Sequence, residues 1–259
     1  MSRVDSYNRN VQDQNVESKK KGGSLASILL YGVILGFYLF TIVYHSLKLN
    51  GANFPENPKY QLLIIIKKFS MFYFTIWNFI LQIIFLLLAI VDEVLKLANI
   101  SRIQSGIEKI RLSIFPSLVF PSALIVACIF WGIWHIDREL IFPKTIDEFY
   151  PPWMNHALHT FIIFPLIIEV ISQFKYNNIQ NVAITKKRAA AILILYCAIY
   201  QTLYLSVYFL HGFWLYPIYK ILTWSQRVGF IFGQIVLALS LQQLGFFLVN
   251  QNTSKLKAK

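Results

Sequence analysis

Long apolar runs, separated by short polar segments, dominate the chain. Six stretches hold no Asp, Glu, Lys or Arg, or only one: Gly22–Leu47, Phe69–Val91, Leu112–Ile136, Phe149–Phe174, Ala189–Tyr219 and Val228–Ser254. Each can supply the roughly 20 apolar residues that cross a bilayer as a helix. A charge at mid-span costs about 2.5–3.5 kcal/mol on insertion scales, so their exclusion reads as selected. The pattern predicts an all-α membrane protein with six transmembrane helices in one bundle. A basic, disordered N-terminal tail over residues 1–23 would precede a six-helix domain over 24–250. A basic tail over 251–259 would follow it.

Polar positions inside the spans are few and patterned. In the second span Thr75, Asn78 and Gln82 fall at i, i+3 and i+7, one face of a helix. Such a stripe belongs against other helices, either as a hydrogen-bond seam or as part of a site. The fourth span opens after Pro151-Pro152 with His156 and His159, is expected to kink at Pro165, and holds Glu169. An acid within a span is a candidate for function unless it is paired or reaches water. Tyr196, Tyr200, Tyr204 and Tyr208 form an i, i+4 stripe in the fifth span.

Composition agrees with the pattern. The chain is 56% hydrophobic and 14% charged, against about 25% charged in soluble domains. Its net charge of +12 does not indicate nucleic acid, because the basic residues flank spans and form no face on a folded domain. Sixteen of the 24 Lys and Arg residues lie in segments on one side of the predicted bundle. The positive-inside rule places that side, with both termini, in the cytosol. Cys128 and Cys197 both fall mid-span and imply no disulfide framework. The closing Lys255-Leu-Lys-Ala-Lys259 has the spacing of a dilysine retrieval signal, so the expected address is the endoplasmic reticulum, the plasma membrane, or both.

The chemistry gathers at the outer ends of spans three and four. His135, Asp137, Arg138 and Glu139 end one run, and Asn155, His156, His159 and Thr160 begin the next. Thr75 lies seven residues past Lys68, roughly 10 Å into its span, and His159 six residues past Trp153, roughly 9 Å into its own. A hydroxyl and an imidazole therefore fall at matching depth on two helices of one bundle, which permits a base-activated nucleophile. Two histidines make an incomplete metal site, and no G-x-S-x-G, H-E-x-x-H, P-loop or dinucleotide fingerprint occurs. No metal or cofactor is expected. Two other classes fit the same residues: a non-catalytic membrane protein that binds lipid or a partner, and a small-solute transporter using Glu169 and the glutamines.

The stretches FWGIWHIDRELIFPK, PPWMNHALHT with the following FPLIIE, and GFWLYP resemble the androgen-induced gene 1 family from the second span to the sixth. The D-R-E-x-x-x-P-K and N-H-x-x-H-T patterns are specific in combination. The resemblance implies a multi-pass membrane hydrolase that cleaves fatty-acid esters of hydroxy fatty acids, with a threonine nucleophile and a histidine base. By position these fall on Thr75 and His159. Asn78, which stands where the family often has Asp, becomes a candidate oxyanion donor. His156 and Asp137 become supporting groups, and Arg138 or Lys144 would hold the substrate carboxylate. The implied partners are a lipid ester within the bilayer and membrane lipids.

Overall fold

The structure is a computed structural model and describes residues 3–176 and 184–257, with side-chain surroundings described over 25–172 and 184–249. Regular structure among these residues is entirely helical. Helix α1 (Arg3–Gly51) includes the first apolar span, Leu25–Gly51. The second span, Pro58–Leu97, is divided into α2 (Gln61–Phe69) and α3 (Phe74–Leu97). The third, Ser101–Leu140, comprises α4 (Ser101–Ile114), a π-turn over Phe115–Val119 that absorbs Pro116, and α5 (Phe120–Asp137). A short α6 (Lys144–Asp147) precedes the fourth span, formed by α7 (Pro152–His159) and α8 (Phe164–Tyr176). Helices α9 (Lys186–His211) and α11 (Trp224–Lys257) carry the fifth and sixth, with α10 (Ile218–Ile221) in the loop between them.

These are the six expected crossings of a multi-pass membrane protein, and an even number returns both ends of the bundle to one side. The backbone of the basic N-terminal tail continues into α1. The side chains of both tails, including the closing lysines, lie outside the described residues.

Two of the spans are interrupted, and both breaks flank the site. The second was expected to run on from Phe69, yet Tyr73 is extended (φ −86°, ψ 131°) and the helix restarts at Phe74. The break contains neither Gly nor Pro; tertiary bonds hold it. Trp77 Nε1 donates to the Met71 carbonyl at 2.9 Å, and the Tyr73 hydroxyl to Leu215 O at 3.1 Å. The fourth span breaks at Thr160–Ile163, one turn before the kink expected at Pro165. Pro165 instead occupies the second position of α8, where its missing N–H costs nothing.

Helix α1 packs along α3, and α11 packs along α5. The core between α1, α3 and the α7–α8 break centres on Tyr38 stacked on Phe79, with ring centroids 4.2 Å apart. The Tyr38 hydroxyl donates to Gln82 Oε1 at 2.6 Å, and Gln82 Nε2 donates to Ile162 O at 3.1 Å. Gln82 thus belongs to a helix–helix seam that also satisfies a carbonyl freed by the break. Gln242 does the same on α11, donating to Ser117 O at 2.8 Å and Ala189 O at 3.0 Å.

An ionic cluster closes the end of the bundle where α3 turns into α4. Asn99 makes that turn with φ 57°, a left-handed conformation that Asn tolerates better than most residues. Arg111 of α4 reaches Glu169 at 2.6 Å, Asp92 at 2.8 Å and Glu93 at 3.3 Å. The Tyr31 hydroxyl donates to Glu169 at 2.7 Å, and Lys96 adds bonds to Asp92 and Glu93. Glu169 and Asp92 have no exposed surface. The in-span acid is therefore one partner in a four-helix tie, and Arg111, one of the basic residues counted between spans, is its centre.

Candidate active site

Thr75 is the second residue of α3, immediately beyond the break. The first amides of a helix lack intrahelical acceptors, and the helix dipole makes this end positive. Here the loop between α9 and α11 closes over that end. The Phe74 N–H donates to the Tyr200 and Tyr216 hydroxyls, each at 3.2 Å. Gly212 begins that loop as the left-handed cap of α9, with φ 75°, a conformation that glycine adopts at no steric cost.

His159 closes α7 at the other break. Its Nδ1 lies 2.7 Å from Asn155 Oδ1 and 3.0 Å from Asn155 O, both acceptors. The proton therefore sits on Nδ1, and the Nε2 lone pair faces Thr75 Oγ1 at 3.5 Å. Distances of this kind shorten when substrate fills a site. The imidazole lies flat on Phe130, with centroids 3.5 Å apart and planes 7° from parallel. Phe130 and Asn155 leave the ring one orientation. Thr75, His159 and Asn155 are arranged as a nucleophile, a base and an orienting group would need to be.

All three line a cavity of about 180 Å³. Ile125, Ile129, Ile133 and Met154 make much of its wall, and no Asp, Glu, Lys or Arg is among its lining residues. His45 also borders it, with Nδ1 3.0 Å from the Tyr150 hydroxyl. Burial raises the Tyr150 and Tyr216 phenols above their ordinary range, so both remain hydrogen-bond donors at neutral pH.

Of the residues proposed for the chemistry, Asn78, His156, Asp137, Arg138 and Lys144 are not brought to the cavity, whereas Tyr200 and Tyr204 of the tyrosine stripe line it. Asn78 is fully buried, but it does not line the space, and neither atom of its amide has a hydrogen-bond partner. His156 is exposed, stacked on Trp131 and 3.1 Å from the Thr160 hydroxyl. Asp137 caps the turn that follows it, accepting from the Glu139 amide at 2.9 Å. Arg138 pairs with Asp147 at 2.6 Å and lies 4.2 Å over the Trp134 ring. The D-R-E-x-x-x-P-K stretch thus folds its own loop, and neither Arg138 nor Lys144 lines the cavity. Among the described residues no group of His, Cys, Asp and Glu is arranged to hold a metal. Asn155, named from the sequence in the polar cluster opening the fourth span but given no role, is set beside the candidate base. Its signal was its place four residues before His159, on the same helical face.

Residues 59–250 match the family model described as FAR-17a/AIG1-like protein. The chain belongs to this family. It is 34% identical to the androgen-dependent TFPI-regulating protein of Mesocricetus auratus over 58% of its own length and 63% of that protein's. The mouse protein of the same name is 31% identical over 71% of the chain and 80% of its own length. Human androgen-induced gene 1 protein is 31% identical over 51% and 53%. The aligned stretch thus spans a little under two thirds of the hamster relative. No solved structure matches the chain. The FAR-17a/AIG1-like match contains every cavity-lining residue except His45, which α1 supplies from outside it.

Proposed function

We propose that this protein is a membrane-embedded ester hydrolase acting on fatty-acid esters of hydroxy fatty acids, with Thr75 as nucleophile and His159 as base. The observation that carries this reading is the contact between Thr75 Oγ1 and an imidazole nitrogen whose tautomer is fixed by Asn155. Two positions 84 residues apart in sequence meet on two broken helices, at the wall of an apolar cavity suited to acyl chains.

As the Thr75 oxygen attacks the ester carbonyl, its proton passes to His159 Nε2. The resulting imidazolium keeps its Nδ1–H on Asn155. The tetrahedral oxyanion forms at the positive end of α3; the Phe74, Ile76 and Trp77 amides there are bonded to protein acceptors, so the Thr75 N–H is the candidate donor. Collapse breaks the bond to the hydroxy-acid oxygen, which takes the proton from Nε2 and leaves. Water then attacks the acyl-threonine, gives a proton to His159, and releases the fatty acid with return of that proton to Thr75. Purified protein should hydrolyse such esters, and Thr75→Ala and His159→Ala should each abolish turnover. Full turnover by well-folded Thr75→Ala protein would end this reading.

A further inference from the structure

The Thr75–His159 pair accounts for part of the cavity's polar surface and leaves another part unexplained. Gln201, Tyr204 and Gln234 also line it, on α9 and α11. Gln201 and Tyr204 are three residues apart and share a face of α9. Tyr204 is 2% exposed, and its buried hydroxyl finds no hydrogen-bond acceptor. Gln201 Nε2 donates to Gln234 Oε1 at 3.4 Å, while Gln201 Oε1 is buried with no partner. A donor and an acceptor thus stand unsatisfied on one wall of an otherwise apolar space. Buried polar groups are rarely left so, because each costs about 1–3 kcal/mol without a partner.

Three facts define what would complete them. A group that only accepts, such as an ester carbonyl, serves Tyr204 and leaves Gln201 Oε1 unpaired. A carboxylate only accepts as well, and no Lys or Arg lines the cavity to balance its charge. The site is also tied to the nucleophile's helix through α9. Tyr204 is one turn along α9 from Tyr200, whose hydroxyl accepts from the amide next to Thr75.

We propose that Gln201 and Tyr204 form a second polar subsite, which binds an uncharged lipid group able both to donate and to accept a hydrogen bond. A free hydroxyl and a protonated carboxyl have that chemistry. This rests on the hydrolase reading for its kinetic test and deepens it, since the subsite selects esters by a second polar group set apart from the scissile bond.

The test uses the full chain in lipid nanodiscs and three substrates with one acyl group: the ester of a hydroxy fatty acid, its methyl ester, and the matching alcohol with the carboxyl reduced. The wild type should favour the acid, the alcohol or both over the methyl ester by about tenfold in kcat/KM, mainly through KM; one lost hydrogen bond of about 1.4 kcal/mol gives that factor. The preferred substrate tells carboxyl from hydroxyl. Tyr204→Phe and Gln201→Leu should bring the ratio close to one. A ratio within one preparation does not depend on how much of the variant folds, and a merely structural role would depress all three substrates alike. Equal turnover of all three by the wild type, or retention of the preference by both variants, overturns the proposal. Should no ester be cleaved, competition of the same lipids against a photoreactive fatty ester on Thr75→Ala protein gives the same ranking if the subsite exists. Equal competition there refutes the subsite, and absence of cleavage refutes only the hydrolase.

Discussion

Asn155→Ala is the substitution that separates a working base from a buried histidine. In the wild type His159 Nδ1 has two acceptors on one residue, Oδ1 at 2.7 Å and the main-chain oxygen at 3.0 Å. The variant removes the shorter and keeps the longer, so the imidazole loses part of the constraint on its tautomer and tilt. Stacking on Phe130 at 3.5 Å keeps the ring in its plane but does not choose which nitrogen carries the proton. Groups that orient a metal-bound histidine are worth about 10–100-fold when removed, and the same scale is taken for this imidazole. A fall in kcat of that size corresponds to about 1.4–2.7 kcal/mol on the barrier. The global cost should be smaller, about 1 kcal/mol for one hydrogen bond. The assay is steady-state hydrolysis of a lipid ester beside a thermal melt of the same preparation. The expected outcome is a loss in kcat well beyond the loss in stability, with KM moving far less. Wild-type kcat in Asn155→Ala would refute the orienting role. A fall in kcat that only tracks the melting temperature would reduce Asn155 to a packing residue.

Other expectations concern stability and orientation. Arg111→Leu leaves Asp92 and Glu169 buried without their guanidinium and should cost about 3–5 kcal/mol in denaturant or thermal unfolding, far more than an exposed Arg would. A methyl group at Gly245 would stand 2.9 Å from Phe120 Cδ1 where α11 meets α5, so Gly245→Ala should lower the melting temperature at a cost of about 1–3 kcal/mol, recovered in part by Phe120→Leu. Tyr38→Phe removes the 2.6 Å donor to Gln82 and should cost about 0.5–1.5 kcal/mol without change in kcat. If the basic segments face the cytosol, as the positive-inside rule expects, Asn99 should carry no glycan, whereas an acceptor engineered into the 144–150 loop should be modified; the reverse pattern in a microsomal glycosylation assay would invert the bundle.

The six spans were legible because excluded charge is a strong, local signal, and Thr75 and His159 were legible as polar residues at matching depth. What sequence could not give were contacts made across the bundle. Nothing in Ser70–Tyr73 announces a broken helix, since the break is held by Tyr73 on Leu215 and Trp77 on Met71. It leaves Thr75 at a helix start, whereas a continuous span would have placed it in mid-helix. Asp137, Arg138 and His156 drew notice by clustering in sequence, yet each side chain is turned to a local partner. Arg111 was hidden for the opposite reason: it stands at a span edge beside other basic residues, and its carboxylates come from α3 and α8. Asn155 was within reach, since its spacing from His159 puts both on one face. Its role emerged only once the ring's second nitrogen had a measured neighbour.

The proposed hydrolysis requires that Thr75 become acylated. The most direct measurement is peptide-level mass spectrometry of protein incubated with a fatty-acid ester and quenched in acid at early times, with a fluorophosphonate lipid as a trapping reagent in parallel. An acyl or phosphonyl adduct should appear on the peptide containing Thr75, fragmenting to that residue, and be lost in Thr75→Ala and His159→Ala proteins that still fold. Ester turnover with an unmodified Thr75, or an adduct on Ser70, Cys197 or another cavity residue in its place, would contradict it.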